Sequence, residues 1–192
     1  MSVIHTRLQD GTPVCIREVR KDDEARLKAG IARMSKQSRY LRFFSGMTVP
    51  PQHVIDRLVD ADGHSHIAWG ALRSDREDTP ALGVVHAFRD EDDPSQAEFS
   101  VAVIDEYHGR GLARLLTLVM LIDCQREGLK ELSVHLLSEN EAARRMTRSL
   151  GGVKQGSEGA VVEFEIDIEQ AIASLKHSLA EPGLSDVLKQ LG

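Results

Sequence analysis

The chain has 192 residues, 41% of them apolar and 28% charged, with a formal net charge of −6. That length and mixture suit one globular domain with room for a substantial core. The acidic balance disfavours non-specific binding to nucleic acid or acidic membranes, and eight aromatic residues are too few for a base-stacking platform.

Cys15 and Cys124 lack metal-ligand spacing and secretory context, so they read as reduced, packed thiols. No apolar run approaches the roughly 18 residues that cross a bilayer. Residues 1–11 lack the apolar block of a signal peptide. A cytoplasmic protein with no membrane or nucleic-acid partner is therefore expected.

Taken in order, residues 3–8 and 14–19 alternate around Asp10-Gly11, which signals a hairpin. Asp22 or Asp23 caps a helix running to about Met34, with Ala25, Leu27, Ile31 and Met34 on its apolar side. Tyr40, Leu41, Phe43 and Phe44 follow and are expected to be buried or to line a pocket. Pro50-Pro51 opens a helix with Val54, Ile55, Leu58 and Val59 on one face, and residues 60–63 end it. Residues 66–72 and 81–88 read as strands, residues 89–96 as an exposed acidic hairpin loop, and residues 97–104 as a half-buried strand carrying Phe99, Val101 and Val103 on one face.

Residues 105–110 are short and polar, and residues 112–124 are almost wholly apolar, a buried helix. Further strands are expected at 129–137 and 161–168, with a helix at 141–150 capped by Asn140 and stopped by Gly151-Gly152. Residues 168–179 read as helical, Pro182-Gly183 as a break, and residues 184–191 as a short amphipathic helix. The order β-β-α-α-β-β-β-α-β-α-β gives an α+β fold: a mostly antiparallel central sheet leading into one βαβ crossover, with flanking helices. Residues 1–168 form the expected domain and 169–192 a C-terminal helical extension.

The stretch 97–128 carries the chemistry. Strand, glycine-bearing turn and helix make an anion site, because the first N–H groups of a helix lack internal partners and sit at the positive end of its dipole. Gly109 and Gly111 leave those groups bare. A dinucleotide fingerprint would want a third glycine where Arg114 stands, and a P-loop would want Gly-Lys-Ser/Thr. The run His108-Gly109-Arg110-Gly111-Leu112-Ala113 instead resembles the pyrophosphate loop of the GNAT acyltransferase superfamily, Gln/Arg-x-x-Gly-x-Gly/Ala. Gly111 and Ala113 match that pattern and His108 departs from it at the first position. The element order over residues 3–168 resembles the GNAT fold.

Three stretches resemble the bacterial protein-lysine acetyltransferase (Pat-type) branch: Asp10-Gly11 with Ile16-Arg17, the segment Ser38-Arg39-Tyr40-Leu41-Arg42-Phe43-Phe44, and Ala97-Glu98-Phe99. The resemblance implies acetyl-CoA, or another acyl-CoA, as co-substrate, with an amine acceptor and no metal. It implies that main-chain groups of Val101 and Val103 hold the pantetheine arm by strand addition. The diphosphate would sit on His108, Gly109, Arg110, Gly111, Leu112 and Ala113, with Arg110 or Arg114 adding a charge-assisted contact. Asn140 matches the superfamily asparagine that touches the CoA arm.

An amine is protonated at neutral pH and must lose a proton before it attacks a thioester. Glu98 is the expected general base; His135, on the next strand, is the alternative. A backbone N–H near Val101 would stabilise the oxyanion. Many members carry a tyrosine as general acid where this chain has Thr147. Asp105 and Glu106 read as solvated loop residues. His64 and His66 face one side of a strand without a third ligand, and neither cysteine has the surroundings of an acyl carrier.

The expected activity is therefore transfer of an acetyl group to a primary amine, a protein lysine or a small molecule. A catalytically silent acyl-CoA-binding module is the alternative, motivated by Thr147 and His108. Residues 39–51 and the loops near 60–66 are expected to shape the acceptor pocket. The strand ends and C-terminal helices leave room for a homodimer.

Overall fold

The computed structural model describes residues 3–177 and 183–191; residues 178 and 179 of the helix expected at 168–179, and Pro182, lie outside them. Eight strands form one sheet in the order β1-β2-β3-β4-β5-β6-β8-β7. They are β1 Val3–Arg7, β2 Pro13–Glu18, β3 His66–Arg73, β4 Gly83–Arg89, β5 Gln96–Val103, β6 Glu131–Leu137, β7 Val153–Glu158 and β8 Val161–Asp167. Every neighbouring pair is antiparallel except β5 and β6, the two strands of the crossover. The mixed α+β architecture expected from the element order is the one observed.

The helices form two layers. On one face α1 (Glu24–Arg33) and α3 (Gln52–Val59) build a small core with the sheet from Leu27, Ile31, Ile55, Leu58 and Ala68, against which Phe43 of α2 (Lys36–Phe43) packs. On the other, α4 (Leu112–Arg126) packs on β3, β4 and β5. Its Leu115, Leu116, Leu118 and Met120 are essentially inaccessible. A helix that is apolar all round must be covered all round, so α6 (Ile168–Lys176) and α7 (Leu184–Leu191) lie against α4, and α7 also reaches β1. Replacing one such leucine by alanine costs about 2–5 kcal/mol. α5 (Glu141–Ser149) joins β6 to the β7–β8 hairpin.

Three sequence expectations change. β7 has no strand signal in the sequence: its six residues, VKQGSE, lie at the sheet edge with no residue fully buried, so they show no apolar alternation. A bulge between Lys154 and Gly156 shifts its register with β8, a common way to blunt an exposed edge. Tyr40 and Phe44 are exposed rather than buried. The α2 residue turned fully inward is Arg39, whose guanidinium donates to the Met34 carbonyl. His64 lies before β3 rather than on it and meets Glu127 (Nδ1···Oε2 2.9 Å). Among the described residues no helix is long and apolar enough to cross a membrane.

Candidate active site

β5 and β6 begin as partners and then part. Their register runs Gln96–Glu131, Ala97–Leu132 and Glu98–Ser133 and stops there. On its other edge β5 stays paired with β4 from Ala97 to Val103. The Ile104 N–H bonds to the Leu82 carbonyl, toward β4. By alternation along the strand, the main-chain groups of Val101 and Val103 face the gap. The outcome is a wedge whose apex is the Glu98–Ser133 pair and whose β5 wall offers free strand-edge groups. One of them is used within the protein: the Val103 carbonyl meets His108 Nε2 at 2.8 Å. His108 thereby ties the end of β5 to the loop below it.

That loop opens the wedge onto the start of α4. Gly109 and Gly111 have φ of 70° and 84°, values that cost an L-residue with a side chain about 1–2 kcal/mol. Gly111 is the N-cap of α4 and has no side-chain cap. Among the described residues, the N–H groups of Gly109, Arg110, Gly111, Leu112 and Ala113 find no acceptor. Five uncapped donors at a helix N-terminus, beside a gap bordered by strand-edge amides, fit a molecule with a diphosphate at one end and an amide-bearing arm. The Arg110 side chain is partly committed elsewhere. It pairs with Asp10 Oδ2 at 2.8 Å, stacks over Tyr107, and receives the Gln9 N–H on its carbonyl, fastening the β1–β2 hairpin under the loop. Arg114 lies in the first turn of α4 and is half-buried.

Asp105, expected to be solvated, is a tether instead, while Glu106 is exposed as expected and carries a surface ion pair. The Asp105 carboxylate accepts from the Ser35 N–H and the Ser38 hydroxyl, both at 2.9 Å, and Glu106 pairs with Arg33 at 2.8 Å. Asp105 holds the start of α2, and Glu106 the end of α1, to the chain that enters the loop. A run of acids in a turn carries no sequence signal that distinguishes a solvated face from a clamp.

Glu98 is exposed, on the face of β5 opposite to buried Phe99, beside the apex of the wedge. Cross-strand partners share a face, so Phe88, Ser100 with His86, and Ser133 all accompany it. His135 stands on the same face of β6, half-exposed and 3.9 Å from Glu163. Above the β5 end lies Arg42 of α2. Its Nη2 donates to Ser100 Oγ at 2.8 Å, and Glu98 is the charge that acts on it. Burial pulls the Arg42 guanidinium down to about 10, partly countered by that carboxylate. Asn140 caps α5, its Oδ1 accepting from the Ala143 N–H at 3.1 Å. Thr147 is buried against Gly152.

Sequence reasoning singles out neither Ser100 nor His86, and reaches Arg42 only as one of residues 39–51 expected to shape the acceptor pocket. A signal existed for His86: alternation places it with Val84 and Phe88, an imidazole at a core position. Toward the start of β5 the face runs into an open groove of about 960 Å³ floored by Phe88 and His66, with six carboxylates and three lysine or arginine side chains on its walls.

Comparison with known proteins gives a consistent result. The acetyltransferase (GNAT) domain family matches residues 14–153. Acetyltransferase PA5475 of Pseudomonas aeruginosa is 28% identical over 148 residues, 77% of this chain and 79% of that protein. Acetyltransferase Pat of Mycolicibacterium smegmatis is 25% identical over 169 residues, 86% of this chain but 49% of Pat, so the chain spans about half of that relative's length. The GNAT domain of S. lividans PAT superposes with a TM-score of 0.79 at 22% identity, covering 86% of this chain and 96% of that domain.

Proposed function

Because the chain belongs to the GNAT acetyltransferase family, whose members use an acyl-CoA as co-substrate, we propose that it moves an acetyl group from acetyl-CoA to a primary amine by direct attack, with Glu98 as general base. The observation that carries this reading is the β5–β6 ladder that stops at Glu98–Ser133. One carboxylate stands at the apex of a wedge whose far end is a row of uncapped amides.

The bound co-substrate supplies an activated acyl carbon; the remaining work falls to this chain. The N–H groups of residues 109–113 hold the diphosphate, with Arg110 and Arg114 near enough in sequence to add charge. Val101 pairs its main chain with the pantetheine arm. Val103 contributes its N–H, since its carbonyl already meets His108. Asn140 offers its amide group at the β6 side. Glu98 takes the proton from the acceptor ammonium, directly or through a water, and the freed amine attacks. The Val101 N–H lies on the gap side of β5, where an oxyanion would form. Thr147 is a poor acid, so the CoA thiolate leaves without a dedicated proton donor.

The acceptor we favour is a lysine on a protein, with a small amine second. The Pat relative supports this, and so does the acidic groove floored by Phe88, the cross-strand neighbour of Glu98. An excess of carboxylates there attracts a cationic segment and repels an acidic one. Calorimetry with acetyl-CoA, followed by mass spectrometry of Nα-blocked lysine peptides and small diamines, tests the reading. Acetyl-CoA binding with acetylated product is expected. Binding with no product from any amine would make the chain a silent acyl-CoA-binding module.

A further inference from the structure

Beneath the acceptor face lies a pair of buried imidazoles that acyl transfer as described leaves unused. His66 and His86 are 6% and 1% exposed. His66 Nδ1 meets the Asp60 carbonyl at 3.1 Å, and His66 Nε2 meets His86 Nδ1 at 3.0 Å. A carbonyl only accepts, so the His66 proton sits on Nδ1 and its Nε2 carries a lone pair. His86 must then donate from Nδ1, leaving its own Nε2 as a bare acceptor. Burial favours the neutral form of both rings and pushes His66 down; His86 is pushed further, helped by the Arg42 charge. His86 Nε2 is fully buried with no donor reaching it among the described residues. A buried acceptor without a donor costs roughly 1–3 kcal/mol, so this nitrogen calls for an explanation.

Arg42 provides one. It lines the same small, partly open cavity as His86, a space of about 20 Å³ under α1 and α2, enough for one water. His86 lies directly across from Ser100, the residue that receives Arg42 Nη2. Arg42 has donors in excess of that one bond, and His86 has a lone pair and no donor. We propose that His86 is a positioning residue, whose Nε2 accepts from the Arg42 guanidinium directly or through one water and so holds Arg42 over Ser100 and Glu98 on the acceptor face. The chain so completed runs from the Asp60 carbonyl through His66 and His86 to Arg42, on which the Glu98 charge acts. Its catalytic consequence rests on reading Glu98 as the base; the His86–Arg42 bond itself does not.

Two measurements separate those claims. In the uniformly 15N-labelled protein, imidazole resonances report which nitrogen carries the proton and whether the bare one is hydrogen-bonded. Both rings are expected as the Nδ1–H form, with His86 Nε2 shifted upfield as a hydrogen-bond acceptor, and Arg42→Met is expected to move that resonance to the free-acceptor position. An Nε2–H proton on His86, or a resonance indifferent to Arg42→Met, overturns the proposal whatever the enzyme turns over. In kinetics with acetyl-CoA and an Nα-blocked lysine peptide, His86→Leu is expected to lower kcat about tenfold, as misplacement of a catalytic neighbour does. Acetyl-CoA affinity should stay within about twofold, and His86→Gln, which restores an acceptor near the Nε2 position, should recover most of the loss. A folded His86→Leu protein with full kcat, or no recovery in His86→Gln, overturns the positioning role. Should His86→Leu fail to fold, Arg42→Met and Arg42→Lys carry the test, with kcat expected to be lost in the first and mostly kept in the second. Full turnover by Glu98→Gln would instead remove the base assignment and leave the resonance test standing.

Discussion

His86 and His135 stand on the same face of one sheet and lead opposite lives. Over β3 and β4 that face is covered by α1, α2 and α3, and His86 is buried there with its protonation fixed by a carbonyl and a second ring. Over β6 and β8 the face is open, and the His135 side chain is 40% exposed beside Glu163. β5 lies on the boundary, fully paired to the covered half and paired for only three residues to the open one. Glu98 sits where the two regimes meet. The difference separates two settings: a ring under the helices is held in fixed geometry by buried partners, and a ring on the open half is left to solvent and a loose pair with Glu163. The same residue type is a structural clamp in the first and a candidate base in the second, and only burial tells them apart.

The sharpest break in that comparison comes from exchanging the two candidate bases. Removal of a general base lowers turnover by about 100-fold or more. Glu98→Gln is expected to do so at neutral pH while acetyl-CoA affinity survives in calorimetry; His135→Gln is expected to change kcat less than about threefold. The reverse pattern would move the chemistry one strand across, and equal loss of turnover and affinity in Glu98→Gln would remove it from the base role.

The covered half has its own signature in pH. His66 and His86 have folded-state values below the ordinary histidine value, chiefly through burial. Below about pH 6.5 the unfolded chain binds protons that the folded chain refuses. Stability is therefore untouched by these groups above about pH 6.5 and falls as pH drops, by about 1.4 kcal/mol per pH unit for each ring that stays neutral. Denaturant unfolding at pH 7.5, 6.5 and 5.5 measures the limb, and His86→Leu should make it shallower by about one proton. An unchanged slope would mean that His86 is protonated in the folded state. A smaller effect is expected at the phosphate end. Gly111→Ala places a side chain at φ 84° and about 3.1 Å from Gln9 Nε2, a strain of about 1–2 kcal/mol. Acetyl-CoA should bind about tenfold more weakly by calorimetry, and wild-type affinity would show that the loop tolerates a side chain there.

Much of this was legible before any coordinates. Period-two runs and the almost wholly apolar segment 112–124 give all strands but one, and α4, because each buries a face that the sequence must write in apolar residues. β7 was illegible for the converse reason: an edge strand buries nothing. The glycine loop and Glu98 were legible through local pattern, since a left-handed turn requires glycine and an acid alternates against Phe99. What sequence spacing does not encode is which remote polar groups meet. Arg42 stands 58 residues from Ser100 and His66 stands 20 from His86; their pairing follows from strand register and helix placement. The same gap explains why Asp105 looked solvated and serves as a clamp.

Asn140 gives the smallest effect and the finest discrimination, because two roles coincide in one side chain. Its Oδ1 caps α5 through the Ala143 N–H, and its amide group is the part that resemblance to the superfamily assigns to the CoA arm. Asn140→Ala deletes both. Loss of an N-cap costs about 1 kcal/mol, or roughly 2–4 °C in melting temperature for a domain of this size. Asn140→Asp keeps the cap, since aspartate accepts from the same N–H and its charge suits the helix N-terminus, but it removes the amide donor. Melting temperature should therefore fall in the alanine variant and hold in the aspartate variant. Acetyl-CoA affinity should fall in both if the amide touches the arm. An aspartate variant with wild-type affinity and stability would confine Asn140 to capping, and the β6 wall of the wedge would then contribute shape without a side-chain contact from this position.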